Sequence, residues 1–218
     1  MAVIFPKWTN KIPLALAAGG PVALVAVVFS IWYWWSPRYT DVGYQPTQPV
    51  PFSHKLHAGD LGLDCRYCHH TVERSSYSAV PATETCMNCH TIVQGQNPHN
   101  LDKIRESYQT GQPVEWVRVH MLPDYAFFDH SVHIAAGVAC QSCHGRIDQM
   151  EKVTQAEPLS MSWCLDCHRN PEPNLRPKDK VTKMGWVPEA DAAAGNSGLD
   201  EIAHRAVNPP VNCSGCHR

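Results

Sequence analysis

Ten cysteines occur in the 218 residues, and all ten fall in C-x-x-C pairs followed at once by histidine. Motifs 1 to 5, in chain order, are Cys65/Cys68/His69, Cys86/Cys89/His90, Cys140/Cys143/His144, Cys164/Cys167/His168 and Cys213/Cys216/His217. C-x-x-C-H is the attachment signature of c-type haem. Two thiols bond to the two vinyl groups of one porphyrin, and the adjacent imidazole is held within reach of the iron. The competing chemistries need other patterns. A zinc site draws its ligands from two separated pairs and has no use for a histidine after each one. A thioredoxin-like pair sits beside a βαβ pattern, and none is visible here. A disulfide framework, the usual meaning of ten cysteines, leaves the five histidines unexplained. The motifs therefore predict five covalently bound haem c groups, with His69, His90, His144, His168 and His217 as proximal iron ligands.

Each iron has a sixth position to fill. Phe52-Ser53-His54-Lys55-Leu56-His57 precedes Cys65, and Phe128-Asp129-His130-Ser131-Val132-His133 precedes Cys140. Both read F-x-H-x-x-H, an internal repeat. Histidines at i and i+3 share a broad helix face but point in different directions. One iron cannot take both, so each pair serves two neighbouring haems: His54 that of motif 1 and His130 that of motif 3, with His57 and His133 crossing to others. His70, His99, His120 and His204 are further candidates. His99 lies in a polar Gln-Asn-Pro stretch, and His204 stands nine residues before Cys213. Met121, Met150, Met161 or Met184 would raise the potential of any haem it bound, although methionine is more often packing material.

The elements that position these ligands have little ordinary core to draw on. Residues 51–218 give about 34 residues to each of five haems, so porphyrin faces must supply much of the buried apolar surface. Short ligand-bearing helices joined by irregular, proline-rich loops are expected, with little β-structure. Ahead of them, Ile12 to Trp35 is free of charge and long enough to cross a bilayer; Gly19, Gly20 and Pro21 are tolerated in such helices. Lys7 and Lys11 precede the run and Trp32-Tyr33-Trp34-Trp35 closes it, which places the N-terminus inside and the aromatic cluster at the outer interface. A cleaved signal is the competing reading, but bulky aromatics occupy the place where cleavage would fall. The expected organisation is a short cytoplasmic N-terminus (1–11), a transmembrane anchor (12–35), a Pro-rich linker (36–50) and a periplasmic haem domain (51–218) on a bacterial inner membrane. The segment from Asn170 to Pro188 reads as a loop crossing the surface. A net charge of -2 argues against nucleic acid as a partner.

The F-x-H-x-x-H stretches ahead of C-x-x-C-H resemble the class III multihaem cytochromes, the cytochrome c3 and c7 group. Several strings resemble more specifically the pentahaem ActA subunits of bacterial alternative complex III: Cys65 to His69, Thr85 to His90, Trp116 to Asp124, Leu159 to Pro171 and Asn212 to Arg218. The resemblance spans roughly Pro51 to Arg218. It implies a class III-type haem domain in a membrane complex that oxidises menaquinol and passes electrons to a periplasmic cytochrome c, a similar carrier or a terminal oxidase. Iron–sulfur and quinol-binding membrane subunits would be its partners. It also implies His120 as a distal ligand beside His54, His57, His130 and His133.

Iron with two strong protein ligands exchanges electrons without binding substrate, and its potential is tuned by ligand, burial and nearby charge. The chain is thus expected to be an electron-transfer subunit with no catalytic residues of its own, inside a quinol:acceptor oxidoreductase. Two other readings stand beside this one: an anchored quinol dehydrogenase feeding a periplasmic reductase, and a multihaem reductase with one open haem. The known catalytic haems of such reductases often use a lysine variant of the motif, whereas all five motifs here end in histidine.

Overall fold

A computed structural model describes residues 5–95, 97–193 and 207–218. The chain is mostly helical and irregular. Among the described residues there is no sheet, and the β-pairing is one isolated antiparallel bridge between Val138 and Leu175. One apolar helix, α1 (Ile12–Trp34), stands at the N-terminal end with Pro21 inside it and all its residues exposed. At about 1.5 Å per residue it is long enough to span a hydrocarbon layer. Tyr33 and Trp34 meet edge to face at 5.2 Å, and Trp34 meets Tyr39 of the next helical turn, α2 (Pro37–Thr40), at 4.8 Å.

The stretch beyond α2 is pinned down. Gly43 N donates to Gln155 O (2.9 Å) and Gln155 N donates to Tyr44 O (3.0 Å). Gln48 exchanges two hydrogen bonds with the backbone of Val117 at 2.7 and 3.0 Å.

Short helices carry the cysteine motifs, α3 (Cys65–Cys68), α4 (Thr83–His90), α7 (Cys140–His144), α8 (Met161–Arg169) and α10 (Cys213–Cys216), while α5 (Asp102–Thr110), α6 (His130–Ala136, with the second histidine repeat) and α9 (Pro188–Ala193) carry none. Helices this short are not stable on propensity alone, and side-chain caps help to fix where they start. Asp64 accepts from Arg66 N at the head of α3, Asp129 from Ser131 N at α6, Ser160 from Trp163 N at α8 and Asn212 from Gly215 N at α10. The first histidine repeat runs into a π-helical turn, Lys55–Asp60, whereas the second forms α6.

The buried apolar set is sparse. Val50, Ile104, Ala139, Leu175 and Val181 belong to it, and no side chain among the described residues is less than 2% exposed. The segment from Asn170 onward does not merely cross the surface: Pro171, Leu175, Arg176, Pro177 and Val181 are buried. It supplies backbone partners to the approach to motif 3. Ala139 N donates to Asn174 O, Arg176 N to Gly137 O and Cys140 N to Val181 O. Prolines suit such a strap, since they offer carbonyls without needing partners for an N–H.

Candidate haem sites

The histidines of the motifs and repeats share one local device. His57 Nδ1 lies 2.8 Å from Ser53 O, His69 Nδ1 2.9 Å from Ala79 O and His90 Nδ1 2.9 Å from Val93 O. His130 Nδ1 reaches Ser76 O (2.8 Å), His133 Nδ1 Asp129 O (2.7 Å), His168 Nδ1 Pro210 O (2.7 Å) and His217 Nδ1 Tyr125 O (2.9 Å). A carbonyl can only accept, so each Nδ1 carries the proton and each Nε2 keeps its lone pair. This tautomer and a fixed ring orientation are what a metal-ligating imidazole needs.

Two imidazoles bound through Nε2 on opposite faces of one iron, with bonds about 2 Å long, set their ring centroids about 6 Å apart. Three pairs have this separation: His57–His90 at 6.1 Å, His130–His144 at 6.4 Å and His133–His168 at 6.1 Å. Each joins a repeat histidine to a motif histidine. The two repeats also share their aromatic packing. Phe52 meets His54 edge-on at 4.8 Å and lies against His57 at 4.4 Å; Phe128 meets His130 at 4.7 Å and His133 at 4.6 Å in the same two poses.

His54, His120 and His144 depart from the common device. His54 Nδ1, His144 Nδ1 and His120 Nε2 are buried nitrogens without a hydrogen-bond partner, a state that costs about 1–3 kcal/mol for each group left unsatisfied. His120 packs edge to face on His144 at 4.4 Å, too close for the two to flank one iron. Burial, with His69, His57 and His120 nearby, lowers the His54 pKa to about 4. Burial and the neighbouring His120, His130, His69 and His54 rings lower that of His144 to about 3. Burial lowers His120 and His133 as well. Neutral imidazole is the form that binds iron, so these environments suit ligation.

The remaining histidines are unlike these. His99 is 85% exposed and bonds the Asp102 carboxylate at 3.0 Å, and His70 is exposed. His204 lies outside the described residues. Among the described residues no histidine ring pairs with His217, whose ring stacks with Tyr125 at 5.9 Å. Of the four candidate methionines, Met121 and Met161 are exposed.

The ten cysteines are all unbridged. Burial, with Cys167 and Cys164 nearby, pushes the Cys143 thiol up to about 12. A hydrogen bond with Cys65 and then burial push the Cys140 thiol up too. Among the described residues no three His, Cys, Asp or Glu side chains converge on a single point where a bare metal ion would sit. Paired imidazoles beside paired thiols fit haem c.

Comparison with known proteins agrees with this chemistry. Residues 37–112 match the class III cytochrome c family, and residues 126–218 match cytochrome c7 and related cytochrome c. Both matches are to class III/c7-like multihaem cytochromes c. Such cytochromes hold haem c covalently and transfer electrons. The cytochrome is also 35% identical over 131 residues to the "menaquinone reductase, multiheme cytochrome c subunit" of Nitratidesulfovibrio vulgaris, an alignment that covers 59% of this chain and 60% of that relative.

The Nδ1 acceptors Ala79, Ser76, Pro210 and Tyr125 are backbone carbonyls remote in the chain or without a side-chain signal, so no local pattern marks them. Ser53 and Asp129, each four residues before its histidine, occupy the same place in the two repeats.

Proposed function

We propose that this chain is a membrane-anchored electron relay carrying five haems c, a subunit of a menaquinone-linked respiratory complex on the bacterial inner membrane. The observation that carries the reading is the set of three imidazole pairs at 6.1–6.4 Å, five of whose six rings are held by a backbone carbonyl at Nδ1. In it, Cys65, Cys68, Cys86, Cys89, Cys140, Cys143, Cys164, Cys167, Cys213 and Cys216 hold the porphyrins, and His69, His90, His144, His168 and His217 are the proximal ligands. His57, His130 and His133 are distal ligands opposite His90, His144 and His168. His54, which lies close to His69, serves motif 1, and His120, with its buried unpartnered Nε2, is the fifth distal histidine that the resemblance implies, its ring lying against His144 of motif 3.

When bound, the haems supply one-electron exchange at iron. The chain's own residues would orient the imidazoles and keep them neutral, and an iron held between two histidines would have no position for substrate, so the chain would relay electrons without catalysing a reaction of its own. The unburied apolar helix α1 acts as a single-pass anchor, with the haem region in the periplasm.

The resemblance of the strings quoted above supports an arrangement like alternative complex III. Electrons from menaquinol oxidation by neighbouring iron–sulfur and quinol-binding subunits would pass through the relay to a periplasmic carrier or a terminal oxidase. The likeness to a menaquinone reductase subunit favours a second reading, in which the same relay runs toward the quinone. Purifying the complex from membranes separates the two: menaquinol reduces the haems in the first, and a reduced periplasmic cytochrome drives menaquinone reduction in the second. Release of the protein from membranes by alkaline wash, or a haem stain giving fewer than five haems per chain, overturns the proposal.

A further inference from the structure

The five motifs do not follow one another in space as they do in sequence. Tyr67, inside motif 1, accepts a hydrogen bond from Asn88 Nδ2, inside motif 2, at 3.1 Å. The first repeat straddles the same junction, since His57 faces His90 while His54 lies by His69. Motif 1 is joined on its other side to motif 3. Val181 O accepts from Cys140 N at 3.2 Å, and the next residue, Thr182, donates from Oγ1 to Asp64 at 2.9 Å and offers its carbonyl to Cys65 Sγ at 3.9 Å. His130, facing motif 3, is tied to Ser76 just after motif 1.

Motifs 3 and 4 are linked through α6, whose His130 and His133 face His144 and His168. Motif 4 meets the approach to motif 5 where His168 Nδ1 bonds Pro210 O at 2.7 Å. Gly215 allows that approach: a Cβ there would lie 2.6 Å from the Pro210 ring. Among the described residues no hydrogen bond or ring contact joins motif 2 to motif 3.

We infer that the haem relay runs in the order motif 2, motif 1, motif 3, motif 4, motif 5, so that electrons enter and leave at the haems of motifs 2 and 5. The thiols follow the same order: Cys68 neighbours Cys89, Cys65 neighbours Cys140, Cys143 neighbours Cys164 and Cys167, and Cys164 neighbours Cys216. Exposure agrees independently. Of the ten cysteines only Cys89 and Cys213 are exposed, one in each terminal motif.

The inference rests on the haem reading above, and one experiment separates their failures. The intact chain in its complex is crystallised or imaged, and its irons are located, by anomalous scattering in a crystal. The expected result is five irons, with the iron on His90 adjacent only to that on His69, and the iron on His144 between those on His69 and His168. Five irons with the His90 iron next to the His144 iron overturn the order alone; fewer than five overturn the haem reading with it. In solution, His57→Met is expected to raise the potential of its own motif 2 haem and, among the other four, to shift the motif 1 haem most. A larger shift at the motif 3 haem than at the motif 1 haem also overturns the order.

Discussion

The His130 and His144 rings lie nearly parallel, 7° apart, while His57 and His90 are rotated by 59° and His133 and His168 by 40°. Imidazole π-donation splits the iron d orbitals most when both rings share a plane. The haem between His130 and His144 is therefore expected to give a rhombic low-spin EPR signal. That between His57 and His90 should give a more axial one with a larger highest g-value. His130→Ala should remove the rhombic species and leave a high-spin signal; its survival would disprove the pairing.

Phe52 and Phe128 each brace two ligands. Aromatic contacts of this kind contribute about 0.5–1.5 kcal/mol beyond the area they bury. Phe128→Leu is expected to destabilise the protein by about 1 kcal/mol in denaturant unfolding. It should also broaden the EPR signals of the His130 and His133 haems together, leaving those of motifs 1 and 2 unchanged. A stability loss without the paired spectral change would mean that Phe128 only fills space.

His120 offers a buried Nε2 with no hydrogen-bond partner. His120→Ala is expected to convert one haem to a high-spin form that binds CO when reduced, whereas exposed His99→Ala should leave every haem low-spin. If both variants retain a full low-spin complement, His120 is no ligand and another group fills that iron's sixth position.

Asp64 joins the capping of α3 to the bridge from Thr182. Its side-chain hydrogen bond from Arg66 is the largest influence holding its pKa down to about 2, with Arg66 N and Thr182 also donating. A depressed carboxylate stabilises the fold above its unfolded pKa of about 3.9, and that contribution is lost as pH falls through about 2. Asp64→Asn should flatten the stability profile between about pH 4 and 2, and Asp64→Ala should cost about 1 kcal/mol at neutral pH through the lost cap. Both can be read from acid and denaturant unfolding followed in the Soret band. With the side chain 44% exposed, the pH-dependent share should be small and salt-sensitive.

Much of this molecule was legible in its residues. The C-x-x-C-H spacing points to haem c, and the charge-free run from Ile12 coincides with the apolar helix α1. The mostly helical, sheet-free architecture follows from a chain with too few residues per motif to build an apolar core. Asp64, Asp129 and Asn212 are helix-start signals readable in advance. The strap after Asn170 was not, because its prolines and charges look like a solvent loop while its backbone partners lie about forty residues away. The order of the motifs was hidden for the same reason: it depends on contacts such as Tyr67–Asn88 and Thr182–Asp64 that no local pattern encodes.

The latch between Gly43, Tyr44 and Gln155 sets how the body of the protein can move. With α1 in a bilayer, as proposed, only a few residues separate its end at Trp34 from that latch, and part of them are coiled in α2. The cytochrome would then ride close over the lipid surface, unable to swing like a ball on a chain. Collisions with a diffusing carrier would take place at a nearly constant height and orientation. The search for a productive encounter falls to the carrier, and lengthening the stretch between Trp34 and Gly43 would slow turnover without altering a single haem potential.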